Sequence, residues 1–258
     1  MGKIIAVTNQ KGGVGKTTTA INLSACIAAA GKRVLVVDID PQGNTTSGLG
    51  IDKSEVEDSV YDMLVDGVPF EDVVMETRQA TLRILPSNIQ LAGAEVEMVG
   101  MMAREQLLKR CLDAVRDQFD FIFIDCPPSL GLLTLNALTA ADKVLVPIQC
   151  EYFALEGLSQ LMNTVNLVRR NLNSRLEMEG VVLTMLDART NLSMQVVEEV
   201  RRYFKEKVYK TTIPRNIKLG EAPSYGLPIN LYDPKCTGAL AYAALADEVI
   251  AANKEALQ

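Results

Sequence analysis

Five apolar runs constrain the fold of this chain more than anything else in it: KIIAVT (3–8), RVLVVDID (33–40), FDFIFIDC (119–126), DKVLVPIQ (142–149) and EGVVLTML (179–186). Each is short, and most are rich in β-branched residues. Apolar residues fall at successive positions, so neither face of such a strand suits water. Runs of this kind belong inside a parallel sheet covered on both sides. Helical spacing appears between them. In GLSQLMNTVNLVRR (157–170), Leu158, Leu161, Met162, Val165 and Val168 form one apolar stripe. Strand alternating with helix implies right-handed crossovers and an α/β architecture. No internal repeat and no Pro-, Gly- or Ser-rich linker interrupts the pattern. The expectation is a single domain over residues 1–258, a mostly parallel, twisted sheet flanked by helices. Residues 51–100 are less regular and read as an insertion beside the sheet.

The stretch NQKGGVGKTTTA (9–20) follows the first run and opens a helical pattern that ends at Gly31. A loop joining the carboxyl end of a strand to the amino end of a helix is where open α/β sheets bind ligands. The amides of Gly13, Val14, Gly15, Lys16 and Thr17 can point at phosphate oxygens, and the glycines let backbone come close. Lys16 would bridge β- and γ-phosphates, and the Thr17 hydroxyl would ligate Mg²⁺. Yet the usual phosphate-loop pattern, G-x-x-x-x-G-K-[ST], requires glycine at position 10, and this chain has Gln10. A second lysine, Lys11, follows it, and then Gly12.

Carboxylates sit at two other strand ends. Asp125 closes FIFID, where a Mg²⁺–nucleotide site needs a carboxylate beside the metal. Asp40, in DIDPQGN, is spaced to face the γ-phosphate and orient an attacking water; Asp38 reads as structural support. Histidine is absent from the chain, which excludes histidine triads, histidine metal sites and histidine bases. The five cysteines are scattered without a C-x-x-C and read as buried thiols of a cytosolic protein. There is no 18-residue apolar run, and the start MGKIIAVTNQ does not read as a secretory signal.

These motifs together resemble the ParA/MinD group of ATPases. KGGVGKTT is similar to that group's deviant Walker A box, a variant P-loop NTPase motif. DIDPQGNTTSGLG, IDCPPSLGLLTLNAL, QCEYFALEGLSQL, LTMLDARTNLS and IPRNIKLGEAPSYGLPI resemble its chromosomal ParA (Soj) branch across nearly the whole chain. The resemblance implies a slow, partner-stimulated ATPase using ATP and Mg²⁺. It implies that Lys11 reaches across a homodimer to the partner's ATP, so that two protomers sandwich two nucleotides. Lys11, Lys16 and Asp40 are then catalytic, and Thr17 and Asp125 serve the metal. Residues 11–18, including Thr18, hold the nucleotide, with Pro214 and Asn216 at the adenine; no N-K-x-D guanine motif occurs. Further implied partners are nonspecific double-stranded DNA, a ParB-like centromere-binding protein and a replication initiator, in a cytoplasmic, nucleoid-associated protein.

Net charge is −6, which argues mildly against nucleic acid, but the charge is segregated. Residues 189–218 hold eight basic side chains against three acidic ones. By itself that reads as a solvated helix face. With the resemblance it becomes a phosphate-contacting patch that does not read sequence, with Arg189 and Lys218 as the DNA-binding residues. A MinD-like membrane ATPase would need a basic amphipathic C-terminal helix. The tail GALAYAALADEVIAANKEALQ has one lysine and reads instead as a helix packed on the sheet. A cluster carrier would need bridging cysteines, for which Cys126 and Cys150 are the candidates at strand ends. A metabolic P-loop enzyme would need an acceptor pocket that no motif nominates.

Overall fold

The computed structural model describes residues 1–151, 158–187 and 189–254. Residues 152–157 of the QCEYFALEGLSQL block, Ala188 of LTMLDARTNLS and the last four residues of the tail lie outside the described residues. The sheet has eight strands: β1 (Lys3–Val7), β2 (Val34–Asp38), β3 (Met75–Glu76), β4 (Leu82–Leu85), β5 (Phe121–Asp125), β6 (Lys143–Gln149), β7 (Glu177–Leu186) and β8 (Val208–Pro214). Their order is β3-β4-β2-β5-β1-β6-β7-β8, parallel throughout except for the β3–β4 edge pair.

The central strands show why the runs are apolar at every position. Ile4, Leu35, Val37, Ile122 and Ile124 face one core layer, whereas Ile5, Val7, Val34, Val36, Phe121 and Phe123 face the other. A strand alternates its side chains between faces, so a sheet with a core on each side needs both sets. Phe121 and Phe123 are fully buried, and each contributes roughly 2–3 kcal/mol by leaving water.

The five strands expected from sequence are all present, with ends shifted by a residue or two. Residues 51–100 differ from the expectation. Instead of standing beside the sheet, they contribute β3 and β4 to its edge, where β4 pairs with β2 from Val34↔Leu82 to Val37↔Leu85. Helix α1 (Lys16–Ala29) ends before Gly31, whose φ of 81° is the left-handed value the sequence reading assigned to a C-cap glycine. The tail forms the helix Thr237–Ala252, buried through Tyr242, Leu245 and Val249 against α1 and β8. No helix among the described residues is long and apolar enough to cross a membrane.

That C-terminal helix is also held by a buried polar cluster. Glu179 on β7 accepts hydrogen bonds from Tyr209 (2.7 Å) and Asn253 (2.8 Å), and its other oxygen lies 2.7 Å from Lys143 Nζ on β6. The Glu179 side chain has no exposed area. Removing its cation therefore strands a buried charge, at a cost of about 3 kcal/mol. Lys143→Met is expected to lower unfolding stability in urea by that amount, and Lys143→Arg by less.

Candidate functional site

The loop between β1 and α1 is fixed at both ends. Asn9 donates to Pro147 O on β6 (2.8 Å) and accepts from the Lys11 amide (3.0 Å). Further on, Thr184 on β7 donates to Val14 O (2.8 Å). Gly13 and Gly15 have φ of 73° and 88°, a region that side chains disfavour. The first amides of α1 receive no side-chain cap from Gly15, and unsatisfied donors with the helix dipole attract an anion at such a start. Lys16 is buried, with Nζ 3.2 Å from Lys11 O, so it lies within its own loop. Burial lowers the pKa of its ammonium, against the pull of Asp125 and Asp40. Lys11 forms no ion pair among the described residues. A side chain at Gly12 would meet nothing within 4 Å.

Asp38 and Asp125 end adjacent strands in register, and both are fully buried. Asp125 Oδ2 accepts two hydroxyls, Thr17 at 2.8 Å and Thr45 at 2.7 Å, while Oδ1 is buried without a partner. Burial raises its pKa to about 6; Thr45 and Thr17 oppose the rise, and Asp40 adds to it. Asp38 is raised as well, by burial and by Asp125. It accepts the Thr46 amide and hydroxyl on Oδ2 (2.8 and 2.7 Å) and the Asp40 amide on Oδ1 (3.2 Å). All three donors to Asp38 come from the protein itself.

A cavity of about 440 Å³ opens above the loop, lined by Gly12, Lys16, Thr17, Asp40, Asn44 and Pro128 among others. Asp40 accepts the Gln42 amide at 2.9 Å. A second, more apolar cleft of about 200 Å³ shares Gly15, Thr18 and Met185 with the first and is walled by Pro214, Asn216 and Tyr242. The pair form one trough, more polar at the loop end than at the other. The expected phosphate, metal and adenine residues are thus brought together. Asn216 is partly engaged: its Oδ1 accepts from Lys218 N (2.8 Å) and its amide donates to Thr237 (2.7 Å). Thr45, Thr46, Thr184 and Met185 were not anticipated from sequence. Only the Thr-Thr pair after DPQGN offered a signal.

The orphaned Asp125 oxygen beside Thr17 fits a hard divalent cation. Such a Mg²⁺ site needs one or two protein oxygens, with substrate phosphates and water completing the shell. No group of three or more carboxylate or thiol ligands occurs among the described residues. Cys126 and Cys150 are buried, and burial raises the pKa of both thiols, which suits inert core cysteines.

The basic segment 189–218 is not one patch. Arg189, Arg215 and Lys218 gather beyond the carboxyl ends of β7 and β8, where Leu186 and Pro214 are in register. Lys205, Lys207 and Lys210 lie at the other end of β8, next to Arg201 and Arg202 in the last turn of the helix Asn191–Phe204. A parallel pair separates the two groups by a strand's length. Each upper cation also has an acidic partner: Arg189 grips Asp187 in a fork (2.9 and 2.7 Å), Lys218 meets Glu221 at 3.0 Å, and Arg215 meets Glu151 at 3.3 Å. The Arg189 hydrogen bonds hold the Asp187 carboxyl at about 2.

A family model described as an AAA domain matches residues 2–178. The chain is 64% identical over 251 residues to the sporulation initiation inhibitor protein Soj of Bacillus subtilis, covering 97% of this chain and 99% of that one. It is 53% identical over 251 residues to the chromosome-partitioning ATPase Soj of Treponema pallidum, with 97% and 98% covered. Among solved structures, cobyrinic acid a,c-diamide synthase from Mycobacterium smegmatis with bound ADP and magnesium superposes with a TM-score of 0.88 at 39% identity, over 99% and 97% of the two chains. With the phosphate loop, the paired strand-end carboxylates and these relatives in agreement, the chain belongs to the ParA/Soj family of chromosome-partitioning ATPases.

Proposed function

We propose that the chain binds ATP with Mg²⁺ in the trough, pairs face to face with a second copy, and binds DNA nonspecifically in that state until hydrolysis, stimulated by a ParB-like partner, ends the dimer. The observation that carries this reading is the phosphate loop, Thr17 and Asp40 lining one cavity, with the half-satisfied Asp125 buried directly behind Thr17. The loop amides and Lys16 hold the phosphates. Thr17 and Asp125 hold Mg²⁺, which neutralises phosphate charge when bound. Asp40 orients the attacking water. Pro214 and Asn216 border the adenine end.

The roles of Lys11 and Gly12 rest on their unoccupied side of the loop. A lysine supplied from a partner stabilises charge on the transferring phosphoryl group, as an arginine finger does. Gly12 leaves the loop without a side chain where two loops would approach each other. The mycobacterial relative's synthase name points instead to a small-molecule substrate. Among the described residues, further cavities around Arg116 and around Arg33 lie at the amino ends of the strands, away from the trough. That placement favours the partitioning reading.

The decisive measurement is DNA affinity with ADP and with a nonhydrolysable ATP analogue, at two salt concentrations, with molecular mass followed in parallel. Salt-sensitive binding is expected only from the ATP-state dimer, because doubling phosphate contacts steepens the salt dependence. Arg189→Glu should keep the dimer and lose the DNA; undiminished binding by this variant would remove Arg189 from the interface.

Asp40→Ala is expected to yield an ATP-bound dimer that persists, with turnover lowered at least about a hundredfold, the scale of losing a positioned proton acceptor. A variant that stays monomeric with ATP would contradict the assignment.

The raised Asp125 pKa gives a pH dependence with a definite sign. Metal needs the carboxylate, and protons compete for it below about 6. The gain in nucleotide affinity from adding Mg²⁺ should therefore shrink as pH falls from 8 to 5.5. Titration of a fluorescent ADP in Mg²⁺ and in EDTA reads it directly.

A further inference from the structure

Helix α2 (Asn44–Gly48) is one and a half turns long, and its N-cap, Gly43, provides no side-chain hydrogen bond. Such a helix has little stability of its own. Two adjacent threonines tie it to the sheet in opposite ways. Thr46 is held by several bonds: its hydroxyl and amide both reach Asp38, and its hydroxyl also accepts the Ser87 amide at 2.9 Å. Ser87 in turn donates to Asp40 O at 2.7 Å. Every one of these groups is buried and lies on the interior side of the loop. Thr45 is different. Its single hydroxyl contact is to Asp125 Oδ2, the oxygen that also accepts Thr17 from the phosphate loop.

Asp125 is therefore gripped from two elements. Thr17 belongs to the first turn of α1, and Thr45 to the helix that directly follows the Asp40 loop. Residues 40–44 line the phosphate cavity through Asp40, Gln42 and Asn44. One hydroxyl thus links Asp125 and Thr17 to the start of α2, four residues beyond Asp40. We propose that Thr45 is a positioning residue that couples occupancy of the phosphate and metal site to the order of α2 and the Asp40 loop. The inference rests on the reading of Asp125 as the metal-side carboxylate and adds a role to a residue outside the phosphate loop.

Thr45→Val keeps the shape and removes the hydroxyl, and Thr45→Ser keeps the hydroxyl. Hydrogen exchange of residues 40–48 is followed in the full chain with ADP plus EDTA and with ADP plus Mg²⁺, beside nucleotide affinity and turnover. In the wild type, Mg²⁺ is expected to slow exchange in this segment. In Thr45→Val that added protection should vanish, with kcat about tenfold lower, a change of about 1.4 kcal/mol in the barrier. ADP affinity in EDTA should stay within about twofold of wild type, since the loop amides and Lys16 that hold phosphate do not involve Thr45. Thr45→Ser should restore both protection and kcat. Equal protection and turnover in wild type and Thr45→Val would overturn the proposal. If Thr45→Val fails to fold, the wild type decides: equal exchange of residues 40–48 in EDTA and in Mg²⁺ overturns it. Were Mg²⁺ to leave wild-type nucleotide affinity unchanged, the metal reading and the coupling would fall together. A gain in affinity without a gain in protection would sink only the coupling.

Discussion

The Asp125 carboxylate organises the site. It sits at the end of a central strand with no access to water, and burial disfavours its charge. Two hydroxyls on one oxygen offset that cost, and they come from the phosphate loop and from α2. The second oxygen is left without a partner, a state that native interiors rarely tolerate without a functional reason. The sheet register makes this possible. Because β5 lies between β1 and β2, its end stands between the phosphate loop and the Asp38–Asp40 turn.

The same register makes Asp38 and Asp125 direct neighbours across the ladder. The Asp125 charge adds to burial in raising the pKa of Asp38. Asp38 answers with three donors, two from Thr46 and one from the Asp40 amide. Asp125 has two hydroxyls, with Lys16 nearby lowering its pKa. Both Asp38 oxygens are thus met by protein donors, while one Asp125 oxygen is not. In the proposed reading, the difference in role between two buried aspartates comes from their donors rather than from their depth.

Much of this was legible in the sequence. The central strands and the loop could be read because their constraints are local: continuous apolar runs for burial on both faces, glycines for positive φ, a lysine and a threonine at the helix start. The edge elements could not. β4 is LRIL with Arg83 exposed, β3 is two residues long, and β8 mixes Lys210, Thr211 and Thr212 into a half-exposed strand. Edge strands carry no continuous apolar signal, because one side meets water. Helix α2 was hidden for another reason. NTTSG has loop composition, and only the buried carboxylates beneath it make its threonines structural. The charge count over 189–218 was correct, but it could not show that a strand divides the cations into two groups.

That division bears on how an acidic protein could hold DNA. The upper cations are each neutralised by a neighbour: Asp187, Glu221 and Glu151 face Arg189, Lys218 and Arg215. Exposed pairs of this kind are weak, typically below 1 kcal/mol, so a phosphate can displace an acidic partner at modest cost. Displacement still leaves the carboxylates close to the polyanion, and their repulsion subtracts from each contact. In the proposed reading a single protomer would then offer only a shallow attraction. Two protomers held by nucleotide would present two such groups to one duplex, and the gain from released counterions grows with the number of phosphates neutralised. Weak, acid-buffered contacts make binding depend on dimerisation more steeply than strong unpaired ones would, because neither half suffices alone. In the proposed reading, the acidic neighbours are therefore part of what lets nucleotide state control residence on DNA.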